Sequence, residues 1–194
     1  MRPVSHLDSY RTAGHVEAPA PPLPVLPQPW DARLADPDGF HLDLIHRWMQ
    51  SPHVAAFWRQ AWPRDRWELE LRDHLAGNDI RPVLVALEGR PVIYLEVYRA
   101  ARDRVAKCYH ARPHDIGLHI AVGELAMTDR GLVRTLLPVL TRALFDADPQ
   151  CTRVILEPDV RNTRAIKSFQ AGGFQLADEI LLPDKVAALM VCPR

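Results

Sequence analysis

The sequence predicts an α/β fold, a mixed sheet with helices packed on it, in the order β-α-α-β-β-β-α-β-α-β-β. Three observations carry this. Apolar runs of strand length alternate with longer segments whose apolar residues recur at helical spacing. Two pairs of such runs are joined by tight turns, at Glu88-Gly89 and Pro183-Asp184. The 194 residues are 47% hydrophobic and 25% charged, enough apolar side chain for one sizeable core.

The elements follow in order. Seven of the 18 prolines stand between Pro3 and Pro29. Proline donates no backbone hydrogen bond, so residues 1–29 read as an extended, partly disordered arm, either a tail on its own domain or a PxxP-type ligand. The domain proper is expected over residues 30–194. Trp30–Ala35 is its first strand. Asp38–Met49 places Phe40, Leu44, Ile45, Trp48 and Met49 at helical spacing, and Ser51-Pro52 is expected to end that helix. Arg64–Leu75 is a second helix, with Trp67, Leu71 and Leu75 on one face and Gly77 as its stop. Pro82–Leu87 and Pro91–Tyr98 form a hairpin, and Ile116–Val122 is the next strand. Gly131–Phe145 is a long apolar helix, Val154–Glu157 a strand, and Asn162–Ala171 a helix capped by Asn162. Phe174–Ile180 and Lys185–Val191 are the last two strands.

Charge and cysteine content exclude several classes. Lys+Arg and Asp+Glu are both 24, a balance that argues against binding nucleic acid or anionic membranes by bulk charge. No apolar run reaches the ~18 residues of a membrane span. Arg2 is not followed by an apolar stretch, so no secretory signal is expected. Cys108, Cys151 and Cys192 form no C-x-x-C pair, which fits a reducing cytoplasm. His110, His114 and Asp115 cluster in sequence, but Pro113 interrupts any helix that would align the histidines, and no metal site is expected.

Two stretches carry chemistry. The strand IGLHIAV leads through a short loop to Thr128-Asp129-Arg130-Gly131-Leu132-Val133-Arg134 and then a helix. Unpaired backbone N–H groups at a helix start, with the positive end of its dipole, bind phosphate; an ordinary helix entry has the same appearance. The second stretch reads N-x-x-A-I-x-x-F-x-x-x-G-F, from Asn162 to Phe174.

With those two segments in that order, the chain resembles the GCN5-related N-acetyltransferase (GNAT) superfamily. Its members hold acyl-CoA pyrophosphate on a Q/R-x-x-G-x-G/A loop and carry a later N-x-x-A-hydrophobic-x-x-Y-x-x-x-G-F segment. Three positions depart: Thr128 replaces Gln or Arg, Val133 replaces the second Gly or Ala, and Phe169 replaces the tyrosine that protonates the leaving thiolate. A closer resemblance, to the siderophore-biosynthesis branch, runs from about His41 to the C-terminus. It rests on HLDLIHRWMQSPHVAAFW at 41–58, WPRDRW at 62–67, YLEVYRAARD at 94–103, DIGLHIAV at 115–122 and EPDVRN at 157–162. The resemblance implies a GNAT fold and an enzyme. It would move an acyl group from acyl-CoA, or a phosphopantetheinyl acyl-carrier protein, to the side-chain nitrogen of lysine, N6-hydroxylysine, ornithine or a related diamino acid.

Expected roles follow. An ammonium must lose a proton before it attacks a thioester, and histidine is the natural base near pH 7. By position alone His119 reads as that base or as a core histidine bonded to a carbonyl; the resemblance implies the base. Asp159 reads as the group that orients His119, holds its imidazolium or binds the amine, or as an acid at a helix start; the resemblance implies a catalytic role. Residues 128–134 and Asn162 are the expected donor site, with Asn162 capping its helix. His53, Trp58 and Trp62 are candidates for the acceptor wall, where aromatics also read as core, and Glu96 binds an ammonium or faces solvent. The oxyanion donor is expected at a bulged end of the His119 strand. Without a tyrosine at 169, the thiolate leaves unprotonated or His119 returns a proton to it. The alternatives are an aminoglycoside-type N-acetyltransferase, disfavoured because residues 59–72 are not acidic, and a non-catalytic acyl-CoA or carrier-binding module, favoured only if His119 and Asp159 face different clefts.

Overall fold

The computed structural model describes residues 18–194. They form a seven-stranded sheet in the order β1-β2-β3-β4-β5-β7-β6. The strands are β1 (Trp30–Leu34), β2 (Ile80–Leu87), β3 (Arg90–Arg99), β4 (Ile116–Val122), β5 (Arg153–Leu156), β6 (Gln175–Leu182) and β7 (Lys185–Pro193). The helices are α1 (Gly39–Gln50), α2 (Pro52–Trp58), α3 (Arg64–Ala76), α4 (Leu132–Ala147) and α5 (Thr163–Ala171). All neighbouring strands run antiparallel except β4 and β5.

The sheet buries both faces. On one side Leu136, Leu137, Leu140 and Leu144 of α4 and Phe169 of α5 pack on Val83, Leu95, Ile116 and Leu118. On the other, Trp48 of α1 and Trp67 and Leu71 of α3 pack on Leu84, Tyr94 and Ala121. Strand side chains alternate faces, so the residues of β4 divide between the two layers. Ile116 and Leu118 face α4, and Gly117, His119 and Ala121 face the α1–α3 side.

The expected element order lacks one helix, α2, which follows directly on α1. Ser51-Pro52 ends α1 but also starts α2, with Pro52 in the first turn. That position has no helical N–H bond to lose, and the fixed proline φ suits it. The short helix ends at Arg59, whose φ of 58° turns the chain back toward the sheet.

The expected Pro-rich arm lies partly outside the described residues. What is described of it rests on the domain: Ala18, Pro21 and Pro24 are buried. Arg99, itself buried at the end of β3, donates to the carbonyls of Pro19 and Ala20, and Arg102 donates to that of Ala18.

The β4–β5 ladder is short. It pairs Ile116 with Val154 and Gly117 with Ile155 and then stops. Beyond it, the β5-facing edge of β4 has no strand partner among the described residues. The other edge pairs with β3 without interruption from Arg99↔Ile116 to Ile93↔Val122. The pairing with β3 shows no bulge in β4, where one was expected; among the described strands the irregularities lie in the β2–β3 ladder, at Val85/Ala86, and in the β6–β7 ladder, at Leu176/Asp178. The N–H groups available to an oxyanion are those on the unpaired edge of β4.

Candidate active site

His119 stands where β4 loses its partner. Across the β3–β4 ladder Glu96 is directly opposite, and its Oε2 accepts a hydrogen bond from His119 Nδ1 at 2.9 Å. On the β5 side, two residues past Gly117↔Ile155 along each chain, Glu157 Oε1 accepts from Nε2 at 2.8 Å. Glu96 and Glu157 are 6% and 4% exposed. Each is held by a further hydroxyl: Tyr94 donates to Glu96 Oε1 at 3.0 Å, and Tyr98 to Glu157 Oε2 at 2.7 Å.

The strand sequence explains how Tyr98 gets there. Tyr98 lies opposite Gly117, and a Cβ built on that glycine would fall 2.0 Å from its ring. Only glycine lets the ring lie across β4, where it stacks on His119 with centroids 4.6 Å apart. Trp58 meets the imidazole edge-on from α2, at 6.0 Å.

The electrostatics follow from this geometry. Both ring nitrogens donate to carboxylates, so His119 rests as an imidazolium. Burial works against the charge, but Glu157 and Glu96 outweigh it and push the histidine up to about 10. Glu157 is itself buried, yet the imidazolium beside it, with Lys185 3.8 Å away and the Tyr98 hydroxyl, brings it down to about 2. Glu96 moves down for the same reason, through His119. Trp58 and Tyr98 close over a cluster that carries two carboxylates for one imidazolium.

Two cavities meet here. A groove of about 720 Å³ runs along the start of α4 and the exposed side of α5, lined by residues 127–134, Arg161, Asn162, Arg164, Lys167 and Phe169. A second cavity, of about 470 Å³, contains His119, Glu96, Glu157, Asp159, Trp62 and Lys185. Both are lined by Trp58, Ile120, Asn162 and Phe169.

The groove has the features of an anion site. Gly131 precedes α4 with φ +74°, a left-handed conformation that glycine tolerates, and no side chain caps the helix. The first N–H groups of a 16-residue helix thus open toward the groove. Arg130, Arg134, Arg164 and Lys167 surround them, with Arg164 paired to Asp129 at 2.5 Å. Thr128, Leu132 and Val133 complete the lining. Asn162 caps α5, its side chain accepting from the Ala165 N–H at 3.1 Å.

The remaining sequence candidates divide. Asp159 lies in the same cavity as His119, but its carboxylate accepts from Arg161 at 2.6 and 2.9 Å and from Arg59 at 3.5 Å. It is held ionised, at about 2, chiefly by Arg161. Orienting the imidazole is therefore corrected from Asp159 to Glu96 and Glu157. His53 is also moved: its Nε2 bonds the Val122 carbonyl at 3.0 Å and its side chain lines the larger groove, not the acceptor cavity. Glu96 is buried rather than solvent-facing. Trp58 and Trp62 line the smaller cavity, while Trp67 is core. Glu157 was hidden in sequence as the last residue of an apolar strand. The signal was the register extended past the end of the ladder: the position level with a candidate histidine, two residues beyond the last pair on the neighbouring parallel strand. Among the described residues no group of three or more His, Cys, Asp or Glu is set to hold a metal ion. No described helix is long and apolar enough to cross a membrane.

A mixed sheet whose central parallel pair parts beside a glycine-led helix N-terminus is the architecture of an acyl-CoA-dependent acyltransferase. The acetyltransferase (GNAT) domain family matches residues 38–182, and the chain belongs to that family. A relative from Mycobacterium sp. (strain MCS), lysine N-acyltransferase MbtK, is 38% identical over 195 residues, covering all of this chain and 80% of its own. The N(6)-hydroxylysine O-acetyltransferase of Escherichia coli is 30% identical over 84% of this chain and 51% of its own. Among solved structures, AAC(6')-Ib in complex with paromomycin and acetyl-CoA shares the fold, with a TM-score of 0.77 over 85% of this chain and 93% of its own, at 24% identity.

Proposed function

We propose that this enzyme serves siderophore biosynthesis, moving an acyl group from acyl-CoA, or from the phosphopantetheine of a carrier protein, to the side-chain nitrogen of lysine, N6-hydroxylysine or a related diamino acid. The observation that supports it best is the meeting of the two cavities beside His119. A donor whose phosphates sit on residues 128–134 has its thioester at Trp58, Ile120 and Phe169. An acceptor nitrogen in the smaller cavity reaches the same point. An acyl-CoA donor fits a reaction in the cytoplasm, and the basic groove rim suits either CoA phosphates or an acidic carrier.

The chemistry needs three things. The acceptor must be fixed against the thioester carbon, the developing oxyanion needs donors, and one proton must travel from nitrogen to sulfur. The unpaired N–H groups of β4 are available to the oxyanion. His119 holds a proton at rest, and Phe169 has no hydroxyl to offer. The nitrogen, entering as the free amine or hydroxylamine with its ammonium proton already lost to solvent, attacks the thioester carbon, the C–S bond breaks, and the thiolate takes a proton from His119. The neutral imidazole then takes the proton that the acylated nitrogen sheds, and the imidazolium is restored. Glu157 and Glu96 hold the ring for both transfers, and Asp159, beside Arg59 and Arg161, helps shape the acceptor subsite.

The aminoglycoside alternative calls for a site suited to a polycation. Here Glu70, Glu96, Glu157, Asp159 and Asp184 face Arg59, Arg104, Lys185 and the His119 imidazolium across one cavity. That near balance suits one amine, not several. The non-catalytic alternative required His119 and Asp159 to face different clefts, and they share one. Thiol release should be measured with acetyl-, succinyl- and long-chain acyl-CoA against lysine, N6-hydroxylysine and ornithine. Release that depends on one of these acceptors is expected. Release with an aminoglycoside and none of them would overturn the reading.

A further inference from the structure

Besides the His119 imidazolium, the smaller cavity is lined by three cationic side chains, Arg59, Arg104 and Lys185. Two of them are already taken. Arg104 sets both terminal nitrogens on the Asp184 carboxylate, at 2.7 and 3.3 Å. Arg59 donates to the Asp184 carbonyl at 2.7 Å and reaches the Asp159 carboxylate at 3.5 Å. Lys185, the first residue of β7, is different. Its one ion pair among the described residues is with Glu157, whose Oε1 lies 3.8 Å from Nζ, beyond hydrogen-bond reach. Glu157 is occupied elsewhere: Oε1 accepts from His119 Nε2 and Oε2 from the Tyr98 hydroxyl. The Lys185 side chain is nonetheless only 16% exposed. An ammonium carries three donors and no acceptor, and drawing it out of water is costly unless those donors are met. In this cavity they are not met by the protein.

We propose that Lys185 binds a carboxylate of the acceptor, so that the enzyme selects an amino acid with a free carboxylate over a plain diamine. The proposal rests on the acyltransferase reading above and deepens it, by naming what the acceptor carries at the end away from its reacting nitrogen. The placement supports it. Trp58, Ile120, Asn162 and Phe169 line both cavities and mark the point of reaction, whereas Lys185 lines the smaller cavity alone. His119 and Lys185 flank the same oxygen of Glu157, at 2.8 and 3.8 Å, so the ammonium stands on the far side of the imidazole's partner. An acceptor with its nitrogen at the junction extends its methylenes past Trp58 and Trp62, and its other end comes to Lys185. The balance of charge decides what that end is. The carboxylates of Glu157, Asp159 and Asp184 are held by His119, Arg161 and Arg104, and none is left to receive a second ammonium. A diamine would set its spare cation among Arg59, Arg104 and Lys185. A carboxylate instead meets the one cation whose donors are open, and the α-ammonium beside it lies along the wall that holds Asp159 and Asp184.

Lysine and cadaverine, or the same pair N-hydroxylated, isolate the carboxylate: cadaverine is lysine without it and keeps the same reacting amine, and lysinamide removes its charge alone. In calorimetric titration of the full chain without donor, lysine should bind on the order of tenfold to a hundredfold more tightly than cadaverine or lysinamide, the scale of one charge-assisted pair. Lys185→Gln should erase that preference, and Lys185→Arg should keep part of it. With donor present, the ratio of kcat/KM for lysine to that for cadaverine should fall by a similar factor in Lys185→Gln, through KM. If Lys185→Gln lowers turnover with both acceptors alike and leaves the ratio unmoved, Lys185 acts only through Glu157 and the proposal is overturned. Equal binding of lysine and cadaverine by the unaltered protein overturns it too, and that measurement needs no variant to fold. The two readings fail separately. A lysine preference in binding, with no thiol release from any donor, would keep the carboxylate subsite and remove the reaction. Thiol release as fast with cadaverine as with lysine would keep the reaction and remove the subsite.

Discussion

Replacing Glu157 by glutamine keeps the shape of the site and removes one of the two charges on His119. The carboxylate and imidazole make a 2.8 Å hydrogen bond, which puts their charge centres about 4 Å apart, and at the effective dielectric that suits protein sites each such pair is worth about 4 kcal/mol, or about three pH units. The partial exposure of the ring trims this, so the histidine should fall by roughly two to three units, from about 10 to roughly 7–8. The sign carries to stability. A histidine raised above its ordinary 6.5 contributes stability in full below about 6.5, and the contribution is lost as pH rises through about 10. Glu157, lowered to about 2, contributes above about 4.5, and that is lost as pH falls through about 2. These are one interaction seen from both partners, so the pair stabilises most between about 4.5 and 6.5. NMR titration of the His119 ring proton, assigned against His119→Asn, reads the shift directly; urea unfolding at pH 7 and 10 reads the linkage. A midpoint that stays above about 9 in Glu157→Gln, or a wild-type midpoint near 6.5, would refute this account of the site.

Three further outcomes are expected. Gly131→Asp should abolish CoA binding by calorimetry, since it adds a charge at the open helix end, forces a left-handed φ on a side chain and sets a Cβ 2.7 Å from Arg134 Nε. His119→Ala should cut turnover by ~10²–10⁴-fold with little change in donor affinity, while Phe169→Tyr gives no tenfold gain, because His119 already supplies the acid; steady-state kinetics across pH 6–9 decide both. Gly117→Ala should destabilise by about 1–3 kcal/mol in urea unfolding and lower kcat, because its methyl group displaces the Tyr98 ring on which His119 and Glu157 rest.

What the sequence made legible, and what it hid, has a physical pattern. Local signals were faithful: Ile116–Val122 reads as a strand from composition alone, Asn162 reads as a cap and caps, and a glycine before an apolar run marks the open end of α4. Pro52 was ambiguous because the same residue that forbids continuing one helix favours starting another. The partners of His119 were hidden for a different reason. Glu96 is 23 residues before it and Glu157 38 after, and no periodicity within one segment reports a pairing made across a sheet. Asp159 drew attention through the family resemblance at residues 157–162, but Arg161, two residues on, satisfies it locally.

The two-pair seam between β4 and β5 has a mechanical consequence. Half of the sheet, β1 to β4, is zipped by long ladders, and so is the other half, β7 with β6 and β5, but the halves share backbone pairing at only two positions. Side chains hold the rest of that line, chiefly the imidazole suspended between a carboxylate of each half. An extended thioester arm laid along the bare edge of β4 would act as a strut in the gap, stiffening the joint at the moment when the reacting atoms must be held still. Loading the donor and rigidifying the catalytic pair would then be one event.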